Sequence, residues 1–132
     1  MIRANPWFGI GPDRVGREFN HYLPADIPKP LPEGYYGHLH NFYLQFAADR
    51  GVPAMLAFLC FVGKALTDFF MGALRSTGVA RAILHGSVAV ILSVLLEGLF
   101  EFNVADTEVL TLFLAVIASG YVVLRETDAV HA

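Results

Sequence analysis

The chain holds a single cysteine, Cys60, so no disulfide can form within it. Cys60 sits inside an apolar run and reads as a buried, inert thiol. Charge is also scarce. Asp, Glu, Lys and Arg make up 16% of the 132 residues, where an average soluble domain carries about 25%. Hydrophobic residues reach 55%. The two figures together point to a membrane protein. A net charge of -3 leaves no basic surplus, which argues against nucleic acid as a partner. The opening residues Met1-Ile2-Arg3-Ala4-Asn5-Pro6 lack the apolar segment of a signal peptide. No internal repeat or low-complexity tract is present.

What is there falls into two parts. Residues 1 to about 37 are polar and broken by Pro6, Pro12, Pro24, Pro28, Pro30 and Pro32, with Gly9, Gly11, Gly16 and Gly34. Such punctuation leaves no room for a long helix. Short helical pieces are expected around Asp13 to Leu23, and Lys29 to Gly34 reads as extended or turn chain. Three apolar runs follow, at about 52–74, 82–100 and 109–125. Each is near the ~20 residues that cross hydrocarbon. Pro53 opens the first, where its missing N–H is harmless. A soluble helical bundle would alternate a charged face with an apolar stripe. The third run is apolar nearly all round, which favours spans. The expected architecture is therefore an all-α membrane protein. Residues 1–50 form an irregular loop segment with short helices and a surface helix, and residues 51–132 supply about three transmembrane helices.

The loops set an expected topology. Arg75 and Arg81 flank the first connection and Arg125 follows the third run, whereas Glu97, Glu101, Asp106 and Glu108 cluster between the second and third. Basic residues stay in the cytoplasm. Residues 1–51 and about 101–108 then lie outside, on the periplasmic face in a bacterium, and the C-terminus lies in the cytoplasm. Three spans that start outside without a signal sequence suit the C-terminal piece of a longer polypeptide.

Four elements recur in a telling order. Asn5-Pro6-Trp7-Phe8-Gly9-Ile10-Gly11-Pro12 comes first. His38-Leu39-His40-Asn41-Phe42-Tyr43-Leu44-Gln45 follows, then Gly51-Val52-Pro53 at the head of an apolar run. Glu97-Gly98-Leu99-Phe100-Glu101-Phe102-Asn103 comes after the next two runs. In order, spacing and membrane context the chain resembles the O-antigen ligase and polymerase family, membrane glycosyltransferases that use polyprenyl-diphosphate-linked sugars. The resemblance implies a many-span protein of the bacterial inner membrane with a large periplasmic loop late in its sequence. It implies transfer of a glycan from polyprenyl diphosphate to a hydroxyl on a lipid or glycan acceptor. The family's earlier spans and the start of its loop have no counterpart here. The arginines thought to grip the diphosphate lie mostly in that part, leaving Arg3, Arg14 and Arg17. The chain alone is therefore expected to be inactive. The competing reading is a non-enzymatic polytopic membrane protein, a transporter-like relative or a truncated remnant.

The family reaction needs a group that positions or deprotonates the hydroxyl, and positive charge or N–H donors for the leaving diphosphate. Diphosphate leaves readily, so a metal is not obligatory where arginines supply the charge; no cofactor is expected. His40 suits the first need, as base or cationic phosphate ligand. In a helix from about Leu39, Asn41, Gln45 and Asp49 share one polar stripe, and Asn41 and Gln45 are read as substrate-binding. His38, Arg14 and Arg17 join them. The plain alternatives are a His-Asn helix cap and a solvated arginine face. Gly9-Ile10-Gly11 could offer amides to a phosphate, or simply turn. His38 and His40 would chelate a metal only in extended chain, since residues two apart on a helix diverge. No third ligand stands close, and His21, Asp26 and Glu33 are unspecific. Lys64 and Asp68 should pair inside the first span. Glu97 and Glu101 read as an interfacial cap or a glycan mouth, and His85 as structural. Trp7, Tyr35, Tyr36, Phe42 and Tyr43 fit an aromatic interface belt.

Overall fold

Asn41 decides where the first substantial helix begins. Its backbone is extended (φ -164°, ψ 113°), and its Oδ1 accepts the Leu44 amide at 2.9 Å. This is an N-cap, so the helix starts at Phe42 and not near Leu39. In the computed structural model, residues 1–27 and 37–131 are described. Helix α1 covers Val15–Glu18 and runs into a 3-10 turn at Phe19–Tyr22. Helix α2 is Phe42–Arg50, α3 is Val52–Arg75 and α4 is Gly78–Glu97. A 3-10 turn at Asn103–Ala105 precedes α5, Thr107–His131. The described residues contain no strand, and the chain is all-α as expected. Lys29 to Gly34, Tyr35 and Tyr36 lie outside the described residues.

Three helices are long and apolar enough to cross a membrane. They are Val52–Arg75, Gly78–Glu97 and Thr107–Thr127, with mean hydropathies of 1.7, 2.0 and 2.0. The second begins ahead of the run expected from residue 82 and stops short of residue 100. Backbone hydrogen bonding, not hydropathy, sets these ends. The helix accommodates Arg81 in its first turn. It ends where the Gly98 carbonyl accepts the Phe42 amide at 2.8 Å and the Leu99 carbonyl accepts Asn41 Nδ2 at 2.9 Å.

The residues cluster into two units. The first comprises Met1–Phe58 with Gly98–Phe102. Here α2 ends at Gly51, whose φ of 89° and ψ of 162° break the chain before α3. Helix ends leave carbonyls without intrahelical donors. The N-terminal loop supplies them: Ile10 N–H donates to Ala48 O at 2.8 Å, and Gly11 N–H to Asp49 O at 3.0 Å. Val52 N–H in turn donates to Pro6 O at 2.8 Å. The loop lies so close that a Cβ on Gly9 (φ 66°) would strike the Ala48 and Asp49 backbone. One on Gly51 would strike the Trp7 carbonyl. Phe42, expected in an interface belt, is instead buried. Its ring lies 5.0 Å from Phe58, 5.3 Å from Phe46 and 6.1 Å from Phe102. Trp7 and Phe8 are exposed.

The second unit comprises Leu59–Glu97 and Asn103–Ala132. Val62, Ala65, Phe69 and Ala73 form the buried stripe of α3, three or four residues apart on one face. Leu84, Ser87 and Ile91 of α4 and Phe113 and Ile117 of α5 are buried as well. The Phe69 ring meets Tyr121 at 5.0 Å and occupies the space a Cβ on Gly120 would need. Lys64 pairs with Asp68 as expected, and Tyr121 Oη donates to Asp68 Oδ2 at 3.0 Å. Cys60 is exposed, contrary to expectation, because it falls off the α3 stripe. His85 is also exposed. Only 17% of each apolar window is buried, so most of each helix presents apolar surface of the kind lipid covers.

Candidate functional site

The site is built where the bent, non-helical segment before α2 meets the turn after α4. His38 and His40 precede the Asn41 cap, off the helix on which residues two apart would diverge, and their rings come together. The ring centroids are 4.8 Å apart, at 60° to one another. The Phe102 ring lies 6.1 Å from His38.

Glu101 completes the group. Its Oε1 and Oε2 lie 3.1 and 3.2 Å from His40 Nδ1. Oε1 also accepts the Phe102 amide at 3.1 Å. That amide, then the His40 hydrogen bond, holds the Glu101 carboxyl below the usual carboxylate range. Both bonds favour its ionised form. The His40 and Glu101 side chains are 62% and 38% exposed, so the pair is open to a ligand. A carboxylate on Nδ1 fixes the tautomer with its proton there, and Nε2 is left to accept one. In the sequence Glu101 was legible as one of an acidic cluster, as part of the Glu97–Asn103 element, and with Glu97 as an interfacial cap or a glycan mouth. Nothing local marks its pairing with His40 across 61 residues.

Asn41 and Gln45 hold the platform beneath. Asn41 caps α2 with one end of its amide and bonds the Leu99 carbonyl with the other. Gln45 is buried; its Oε1 accepts the Leu39 amide at 2.7 Å and its Nε2 donates to Asp49 Oδ2 at 2.9 Å. The stripe Asn41, Gln45, Asp49 therefore faces inward and anchors the His38–His40 segment. Asp49 is 3% exposed and its Oδ1 has no partner among the described residues. Burial pushes its carboxyl up, against the opposing pull of Gln45 and Arg50.

Arg14 precedes α1 and Arg17 lies within it, and both are exposed. The four-residue α1 is too short to give them a shared helical face. Among the described residues no hydrogen bond or ion pair joins either to His40. The Gly9-Ile10-Gly11 loop turns its Ile10 and Gly11 amides onto the end of α2, so these donors serve the helix. His21 pairs with Glu18 at 3.0 Å, away from the other histidines in sequence. Glu33 lies outside the described residues. One group of metal-binding type is present among the described residues: His38, His40 and Glu101, with ligand atoms all within 4.8 Å of one another.

Residues 1–59 match the family model described as O-antigen ligase. The match, over the first 59 of 132 residues, is a likeness to the O-antigen ligase and polymerase family. It includes His38, His40, Asn41, Gln45 and the Gly51 break, and Glu101 lies beyond it. No curated protein and no solved structure matches the chain. Together with three span-length apolar helices, the match marks a membrane protein.

Proposed function

We propose that, as in the O-antigen ligase family that residues 1–59 match, this chain serves transfer of a glycan from polyprenyl diphosphate to an acceptor hydroxyl. The observation that carries the reading is His40 Nδ1 held by Glu101 within an exposed corner of the matched segment. Nε2 of His40 takes the proton as the acceptor oxygen attacks the anomeric carbon. The bond from that carbon to the diphosphate oxygen breaks, and its electron pair stays on the diphosphate. Glu101 stabilises the imidazolium, the part a carboxylate plays beside a general-base histidine. His38, beside His40, contacts the sugar or phosphate. Arg14 and Arg17 supply part of the charge that the diphosphate requires. Asn41 and Gln45 act through the histidine segment that they hold.

The arginine asymmetry supports placing residues 1–51 and the Glu101 turn on the periplasmic face of a bacterial inner membrane. The Arg75–Arg81 connection and the C-terminus are then cytoplasmic. In a Cys60→Ser background, a cysteine replacing exposed Thr77 should resist an impermeant thiol reagent applied from outside. Labelling there would reverse the topology.

The test of function is glycan attachment or polymer length in ligase-deficient cells that express the protein. His40→Ala should reduce transfer by about 10²–10⁴-fold, the usual contribution of a positioned base. Glu101→Gln should reduce it while leaving donor affinity less affected. Full transfer by His40→Ala at normal protein level would remove the catalytic role and leave His40 as a tether between two chain segments.

A further inference from the structure

We infer that His38, His40 and Glu101 form a binding site for a divalent transition-metal ion of the zinc type. The inference stands on geometry and does not require the glycan-transfer reading. Two imidazoles and one carboxylate converge from two segments of chain, with ligand atoms within 4.8 Å of one another. Zinc bonds to histidine nitrogen and carboxylate oxygen at about 2.0–2.2 Å, which puts donors in a tetrahedral site roughly 3.3 Å apart. The His40 Nδ1 to Glu101 separations of 3.1 and 3.2 Å already meet that spacing. The remaining approach is about 1.5 Å by the same standard. It falls mainly to the His38 ring, which is exposed, while Glu101 stays against His40.

The surroundings are prepared for a ligand set. The cap at Asn41 keeps the two histidines off the helix and so on one side of the chain. Gln45 Oε1 holds the Leu39 amide between them. The Phe102 amide fixes one carboxylate oxygen of Glu101, the kind of outer contact that orients a metal ligand. Three protein ligands leave a fourth position open to solvent. The donor set selects the class of ion: imidazole suits zinc, copper, iron and nickel, whereas magnesium and calcium prefer all-oxygen sites. A bound ion would tie the segment before α2 to the turn after α4. It would also engage the two groups assigned to proton transfer, so Zn²⁺ should inhibit that step.

The experiment is calorimetric titration of the full chain, purified in detergent, with Zn²⁺ and separately with Mg²⁺. One equivalent of Zn²⁺ should bind, and Mg²⁺ should not compete. Loss of an outer contact alone typically weakens metal binding 10–100-fold. His38→Ala, His40→Ala and Glu101→Gln should each therefore weaken Zn²⁺ by at least about tenfold. His21→Ala, at the other histidine–glutamate pair, should leave it unchanged. Unchanged helical circular dichroism in each variant shows that the fold survives. Absence of binding, or full affinity in any of the three site variants, would overturn the inference. No glycan donor is involved, so a failed titration leaves the transfer reading intact. Failure of the His40→Ala transfer test likewise leaves the metal site intact.

Discussion

Asn41 Nδ2 donates to the carbonyl of Leu99 at 2.9 Å, while Asn41 Oδ1 caps α2. One side chain thus starts a helix and fastens it to the turn that carries Glu101. The two contacts can be separated. Asn41→Asp keeps the cap and loses the donor; Asn41→Ala loses both. Removing a cap costs about 0.5–2 kcal/mol, and an intramolecular hydrogen bond adds about 0.5–1.5 kcal/mol. Thermal unfolding in detergent should therefore rank wild type above Asn41→Asp and Asn41→Asp above Asn41→Ala. Equal stability of the three proteins would mean that neither contact holds the segment.

Gly9 is the tightest approach of the N-terminal loop to α2. Its φ of 66° and the adjacent Ala48 and Asp49 backbone both oppose a side chain. Left-handed backbone alone costs a non-glycine residue roughly 1–2 kcal/mol. Gly9→Ala should release the loop and speed protease cleavage between residues 1 and 27. Gly37→Ala, where a Cβ meets open space, should not. Equal cleavage rates in the two variants would refute the packing of the loop on α2.

Asp49 gives the first unit a pH dependence. Burial raises its folded pKa, so the protonated form is favoured by the fold. Its contribution is fully present below the unfolded carboxyl value of about 4 and is lost as pH rises through the raised folded value. Arg50 and Gln45 oppose the shift and Asp13 adds to it. Asp49→Asn should remove this loss, flattening the stability profile as pH rises above the unfolded carboxyl value of about 4. Urea or thermal melts across that range measure it. An unchanged slope in Asp49→Asn would place the pH dependence elsewhere.

Gly120 decides how closely α3 meets α5 in the second unit, because the Phe69 ring fills the space beside it. Gly120→Leu should overpack that contact, at a cost of about 1–3 kcal/mol. Gly63→Leu, on an open face, should cost far less. The ratio of folded to unfolded protein in a detergent titration reads both. A Gly120→Leu protein as stable as wild type would mean that the two helices separate freely at this point.

The sequence by itself determined the helical class, the three apolar runs and the break between α2 and α3. These are local properties: hydropathy over twenty or so residues, a glycine that tolerates positive φ, and proline in a first turn. It also paired Lys64 with Asp68. Its reading of the segment before α2 failed at Leu39, because the Asn41 cap outweighed the helical pattern and left the histidines off the helix. Cys60 was placed in a core because composition does not say which side of an apolar helix is covered. Only the tertiary structure decided that Glu101 stands against His40, that Gln45 and Asp49 face inward, and that the glycine loop spends its amides on the end of α2. Each depends on which distant backbone groups need partners, and that demand exists only once the segments have come together.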